Sequence, residues 1–198
     1  MELVDDVRPV AQTESPQGVV ARARPIPFAP LESLLDPPGD SVVPALVVLD
    51  HLEDPRNVGA IARSALAAGM TGMVVPRRRA APLSALAFKA AAGAFEHLPV
   101  ASVSSVADCA VRAARAGVWS VGLLAHGERP LFGLELLAEP VALFVGSERS
   151  GLSRLVRARL DITAFIPIDS RVESLNAATA SALACFETSR LRAFFGSL

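Results

Sequence analysis

The chain has 198 residues, the size of one domain with at most a short appendage, and at that length a core forms without disulfide or metal staples. Hydrophobic residues make up 52% and charged residues 20%, which excludes a disordered chain; no apolar run approaches the roughly 20 residues of a membrane span, and the acidic start Met1-Glu2-Leu3-Val4-Asp5-Asp6 lacks a signal peptide's basic region. A net charge of −1, from 19 basic and 20 acidic residues, gives no global attraction to nucleic acid, so the expectation is a soluble, cytoplasmic protein that meets any anionic partner through a local patch.

Residues 1–44 are rich in proline (Pro9, Pro16, Pro25, Pro27, Pro30, Pro37, Pro38, Pro44) and show no sustained period, which predicts an extended arm or linker. Residues 45–198 read as the domain proper, in which apolar runs rich in Val and Leu alternate with helical patterns. The first predicted strand, 45–49, leads into Asp50-His51-Leu52-Glu53-Asp54-Pro55, which has neither GxGxxG nor a Walker loop. Asp54 as N-cap and Pro55 at the first turn then start a helix over 55–68. On it Val58, Ala62, Ala65, Leu66 and Gly69 share one face, while Arg63 falls beside Gly59 and Arg56 at the edge of the other. Gly59 costs a helix roughly 1 kcal/mol relative to Ala, a loss that close approach of another backbone would explain.

Strands at 72–75 and 100–103, with helices at 83–92 and 106–116, continue the alternation. A strand at 118–124 and a short helix near 131–137 follow, then the uniformly apolar strand Val141-Ala142-Leu143-Phe144-Val145, which suits a sheet covered on both faces. Past it runs Gly146-Ser147-Glu148-Arg149-Ser150-Gly151-Leu152, whose glycines free backbone groups to face a ligand beyond a strand's carboxyl end, or simply serve a turn. A helix at 152–159 and a strand at 162–166 lead to Pro167-Ile168-Asp169-Ser170-Arg171-Val172-Glu173-Ser174-Leu175-Asn176. There Ser174 is the natural N-cap of a last helix over 175–195, and Asn176 falls in its first turn, as a loop hydrogen-bonder or a ligand contact. The fold class is α/β with a mostly parallel sheet flanked by helices.

Every basic residue but Lys89 is Arg, whose planar fork matches phosphate; they cluster as Arg77 to Arg79 and as Arg149, Arg154, Arg157 and Arg159, each a solvated face or a binding surface. Cys109 and Cys185 have no CxxC spacing, and His51, His97 and His126 no ligand spacing, so the histidines are read as structural or exposed and no metal is expected.

Taken together, Asn57-x-Gly59-x-x-x-Arg63, then Gly146-Ser-Glu148-x-x-Gly151-Leu152-Ser153, then Ile166-Pro167 followed by Ser174-Leu175-Asn176, resembles in order and spacing the three motifs of the SpoU (TrmH-like) RNA 2′-O-ribose methyltransferases of the SPOUT superfamily. The resemblance is dense from Leu49 to Glu187, and Gly93, Ala94, Glu96 and Pro99 look like the family's stretch between the first two motifs. It implies a C-terminal deep trefoil knot, an exception to the rule against knots, as well as a homodimer and S-adenosylmethionine as cofactor without a metal. By position, Gly146, Ile166 and Leu175 would hold the cofactor, near the end of the strand at 118–124. Arg63, Asn57, Glu148, Ser174 and Asn176 would carry transfer of the sulfonium methyl to a ribose 2′-oxygen. A guanidinium stays protonated, so Arg63 is expected to orient the target phosphate and stabilise the developing alkoxide; its service as the base is the alternative proposed for the family.

Gln17-Gly18-Val19-Val20-Ala21 looks like the point where many members leave a small N-terminal substrate-binding domain, here missing, as in a short member or a catalytic domain with its linker. That linker favours ribosomal RNA as substrate over transfer RNA. A knotted RNA-binding or ribosome-assembly protein without catalysis is the other reading, and an unrelated α/β small-molecule protein a third. Two departures from the motifs stand out: Arg149 occupies a position that is often small, and Ala177-Ala178 replace a bulkier Val and a Ser.

Overall fold

Seven parallel strands form one sheet in the computed structural model, which describes residues 5–11, 18, 20, 25–39, 42–78, 83–147 and 149–193. In chain order they are β1 (Ala45–Asp50), β2 (Gly72–Pro76), β3 (Val100–Val103), β4 (Trp119–Leu123), β5 (Arg129–Pro130), β6 (Val141–Gly146) and β7 (Ile162–Phe165), arranged β3-β2-β1-β6-β4-β7-β5. β1 and β6 lie in the middle, paired from Ala45↔Val141 to Asp50↔Gly146, and every residue of both is buried. This is what their unbroken apolar runs predict for strands covered on both faces.

The helices are α1 (Leu31–Leu35), α2 (Pro55–Ala67), α3 (Ala85–Ala91), α4 (Val106–Arg115), α5 (Arg154–Arg157) and α6 (Ala177–Leu191). Alternate strand residues feed two cores. Val47, Leu49, Leu143 and Val145 pack with Val58, Ile61 and Ala62 of α2, Ala87 of α3 and Ala184 of α6, while Leu46, Val48 and Phe144 pack with Leu34 of α1, Ala110 of α4 and Val156 of α5. Burying a side chain the size of Phe144 contributes about 1.5–3 kcal/mol, so these layers dominate stability. α2 starts as expected, with the Asp54 carboxylate accepting from the Arg56 N–H at 2.8 Å and Pro55 in the first turn. At Gly59 an added Cβ would lie 2.2 Å from the Ala87 carbonyl oxygen, so the glycine admits the backbone of α3 against α2.

Three expectations change. The arm is not extended throughout: α1 buries Leu31, Leu34 and Leu35, and the Ala29 N–H donates to the Val100 carbonyl at 2.8 Å, covering the open edge of β3. In place of a helix over 131–137 there is a turn with Gly133 at φ +80° and then one 3₁₀ turn, Glu135–Ala138. The last helix runs from Ala177 to Leu191 and not from Leu175, and residues 194 and 195 of the expected span lie outside the described set, as do Gln17, Val19, Ala21, Arg79 and Glu148. Among the described residues no helix is long and apolar enough to cross a membrane.

Candidate functional site

The site is built where β6 ends. Gly146, its last residue, stands beside Asp50, the last residue of β1. Asp50 is completely buried, and a buried carboxylate must be paired; one oxygen accepts the Ser153 N–H at 2.7 Å and the other lies 2.5 Å from His51 Nδ1. His51 takes a left-handed φ of +60° to make this contact. The Asp50 anchor draws the chain after Gly146 back across the sheet, and Ser147 and Gly151 close that loop with paired backbone hydrogen bonds of 3.2 and 2.9 Å. The returning backbone passes so close that a Cβ on Gly146 would sit 2.0 Å from the Gly151 carbonyl carbon. Glycine here is therefore a requirement of space.

Beside this loop opens a cavity of about 530 Å³, at the carboxyl ends of β4, β6 and β7, where ligands of open α/β sheets bind. Its walls come from three stretches: Leu123 to His126, Val145 to Gly151 with residue 148 outside the described set, and the chain from Ala164 to Ala180 that contributes Ile166, Ser174 and Leu175. The three positions expected to hold a cofactor, Gly146, Ile166 and Leu175, thus share one cavity with Ser174. The chain between them turns at Asp169, whose carboxylate receives Arg171 Nε and Nη2 at 2.9 and 2.8 Å; that pairing holds the Asp169 carboxyl below the usual carboxylate range.

Asn176, not Ser174, caps α6. Its side-chain oxygen accepts from the Ala178 and Thr179 N–H groups at 2.8 and 3.3 Å, while its Nδ2 donates to Asn57 Oδ1 at 3.2 Å. One side chain therefore fixes the start of α6 and ties the first motif to the third. Arg63 does not line the cavity: it stands exposed on α2 and makes no hydrogen bond or ion pair with the described residues.

Two contributors are not singled out by the sequence pattern. His126, expected from spacing to be merely structural or exposed, lines the cavity, and Asp50 anchors its loop. His126 was signalled only by its place just past a strand's carboxyl end, and Asp50 by an acidic residue closing an apolar run. Cys109 and Cys185 are free and buried, their thiols pushed up to about 12 chiefly by burial, so neither is poised as a nucleophile. Among the described residues no three His, Cys, Asp or Glu side chains gather as metal ligands.

Residues 44–186 match the SpoU rRNA Methylase family. The chain is 38% identical over 179 residues to a protein of Synechocystis sp. named as an uncharacterized tRNA/rRNA methyltransferase, covering 90% of this chain and 46% of that one. It is also 38% identical to YacO of Bacillus subtilis, named for the TrmH family of tRNA/rRNA methyltransferases, over 89% of this chain and 71% of that one. The chain thus spans about half of the first relative's length and more of the second's. Among solved structures, the SpoU methyltransferase AviRb from Streptomyces viridochromogenes, crystallised with AdoMet, superposes with a TM-score of 0.75 at 30% identity, over 85% of this chain and 67% of that one.

Proposed function

The chain belongs to the SpoU rRNA Methylase family, and from that premise we propose that it methylates RNA, moving the methyl group of S-adenosylmethionine to a ribose 2′-hydroxyl, of ribosomal RNA in the first place. The observation that carries this reading is the convergence of Gly146, Ile166, Ser174 and Leu175 on one cavity, with Asn176 hydrogen-bonded to Asn57 at its border.

The cavity fits the cofactor. Leu123, Leu124, Ile166 and Leu175 supply apolar walls for an adenine ring, and the glycines at 146 and 151 leave backbone groups rather than side chains to meet its polar edges. S-adenosylmethionine, when bound, supplies an electrophilic methyl on a sulfonium and needs no metal. The residues of the chain then have to place a 2′-hydroxyl in line and accommodate the charge that develops on its oxygen. Arg63 suits that task as a fixed cation and a phosphate clamp, and its permanently protonated guanidinium argues against its taking the proton, which is released to solvent water as the O–H bond gives way to the O–CH3 bond. Asn57 and Asn176 hold each other and with them the relative positions of α2 and α6, and Ser174 offers a hydroxyl at the cavity wall. Glu148, beyond the described residues, keeps the role the motif implies.

We also propose a homodimer and a trefoil knot formed by the chain that carries Ile166 to Leu175. Supporting the dimer, Arg63 is exposed and lies outside the cavity of its own chain, while α6 presents Leu183 and Phe186 at 36% and 42% exposure. A second copy would cover that apolar surface and bring a cavity to Arg63.

The test is methyl transfer from radiolabelled S-adenosylmethionine to total cellular RNA, with nuclease digestion to locate the label. A labelled 2′-O-methyl nucleoside is expected from the parent and none from Arg63→Ala, with calorimetric cofactor affinity kept by the variant. Label in transfer RNA would redirect the substrate. Cofactor binding without transfer to any RNA would sink the catalytic reading in favour of a knotted RNA-binding protein.

A further inference from the structure

Several of the described arginines are engaged by a neighbour. Arg8 pairs with Asp6, Arg112 with Glu32, Arg171 with Asp169 and Arg190 with Glu187, and Arg192 is wrapped in carbonyls. Around α5 three stand together without such a partner. Arg149, Arg154 and Arg157 are exposed and have no ion pair or hydrogen bond among the described residues.

Their placement is specific. Arg149 lines the 530 Å³ cavity, Arg154 lines a second one of about 590 Å³, and Arg157 lines both, with Leu124 and His126 also shared between the two. The carboxylate in the second lining is that of Glu128, whose Oε2 faces the Thr163 N–H at 3.5 Å; Glu173 lines the first. Three guanidinium forks therefore run from one cavity to the next on a chain whose net charge is −1, so an anion is attracted here and not by the molecule as a whole. Arg154 and Arg157, one helical turn apart, project from the same side of α5 and can engage neighbouring phosphates.

We propose that Arg149, Arg154 and Arg157 form a phosphate track for the RNA backbone, which crosses α5 on its way past the mouth of the cofactor cavity, and that the second cavity receives a nucleotide of that strand. The track rests on the RNA-methylating reading of the adjacent site. It supplies affinity at Arg154 and Arg157, which lie beyond the three motifs, and at Arg149, which stands at a position of the second motif that is often small.

The experiment uses the full chain, a fluorescein-labelled single-stranded oligouridylate and fluorescence anisotropy between about 50 and about 200 mM KCl. Removing one cation that neutralises a phosphate of a single strand lowers the slope of log K against log salt by about 0.7, so Arg154→Gln/Arg157→Gln is expected to lower it by about 1.4 and to weaken binding roughly tenfold at the lowest salt. Arg154→Gln alone, which lines the second cavity and not the first, is expected to lower the slope by about 0.7 and to bind S-adenosylmethionine within about threefold of the parent. Arg8→Gln/Arg115→Gln, which removes equal charge at residues that line neither cavity, should leave the slope unchanged. An unchanged slope in Arg154→Gln/Arg157→Gln, or an equal drop in Arg8→Gln/Arg115→Gln, overturns the track while the methyltransferase reading stands. A parent that binds cofactor but neither binds nor methylates RNA overturns both.

Discussion

At the scale of single residues, the site depends most on Gly146. A methyl group there would overlap the backbone of Gly151 and Leu152, at 2.0 and 2.2 Å, and no rotamer change relieves a backbone clash. Gly146→Ala is therefore expected to destabilise by about 3 kcal/mol or more and to weaken cofactor binding, as read by urea unfolding and calorimetry. Gly151→Ala makes the contrast, because nothing lies within 4 Å of its added Cβ and only the left-handed φ of +63° opposes it, a cost of about 1–2 kcal/mol. Equal losses in the two variants would mean that the close crossing at Gly146 is unimportant. Asn176→Ala should cost about 1 kcal/mol through removal of the cap, and Asn176→Asp should restore most of that stability, since a carboxylate accepts the Ala178 and Thr179 N–H groups as well as an amide oxygen does. The sequence favoured Ser174 for this cap; serine and asparagine cap equally well, so capping preference does not choose between two residues so close together, and in the fold it is Asn176, bonded also to Asn57, that takes the role.

At the scale of elements, α6 is fixed to the rest of the fold by Glu187, a nearly buried carboxylate whose Oε1 accepts the Gly133 N–H at 2.7 Å while Arg190 grips both oxygens at 2.8 Å. The Arg190 guanidinium holds the Glu187 carboxyl below its ordinary range, against the upward push of burial, and the Gly133 N–H adds to the lowering. The folded value lies below the unfolded one, so this stabilisation is present above the usual carboxylate range and is lost as pH falls through it. Glu187→Gln is expected to cost about 1–3 kcal/mol at neutral pH and to flatten the acid limb of the curve of Tm against pH; parallel curves for parent and variant would contradict the argument. The same contact explains a misread element. Gly133 at φ +80° turns the chain so that its N–H meets α6, which breaks the helix that the leucines of 131–137 suggest. Long periodic elements such as α2 and α4 were legible because their apolar stripes outlast any ambiguity of period, whereas α1 and β5 are too short to carry one: α1 gains its order from packing Leu31, Leu34 and Leu35, and β5 from pairing with β7.

At the scale of the whole molecule, the alternation of strands and helices was enough to announce a parallel sheet, but not that β6 returns to lie between β1 and β4. That placement is a long-range pairing, and it is what brings Gly146 beside Asp50 and opens the cavity at one end of the sheet. The opposite end is closed by Arg192, just past α6. Its Nη1 donates to the Val43 carbonyl at 3.0 Å, its Nη2 to the Pro44 carbonyl at 2.9 Å and to that of Glu139, and its Nε to the Leu137 carbonyl at 3.1 Å. Val43 and Pro44 lead into β1 and Glu139 precedes β6, so one guanidinium joins the end of the chain to the entry points of both central strands. Removing it takes the donor from the partly buried Leu137 carbonyl, a cost of about 1–3 kcal/mol for a group that water cannot reach, while the Pro44 carbonyl still accepts the Val141 N–H at 3.0 Å. Arg192→Met is accordingly expected to lower stability by about 1–3 kcal/mol in urea unfolding, and Arg192→Lys to recover only part of it, because an ammonium cannot spread its donors over four carbonyls as the planar fork does. Both variants should bind S-adenosylmethionine with parental affinity below their unfolding range, since the cavity lies at the carboxyl ends of the strands and the clamp at their amino ends. A loss of cofactor affinity in the still-folded Arg192→Met protein would instead mean that strain at one end of β1 and β6 is transmitted along them to Asp50 and Gly146.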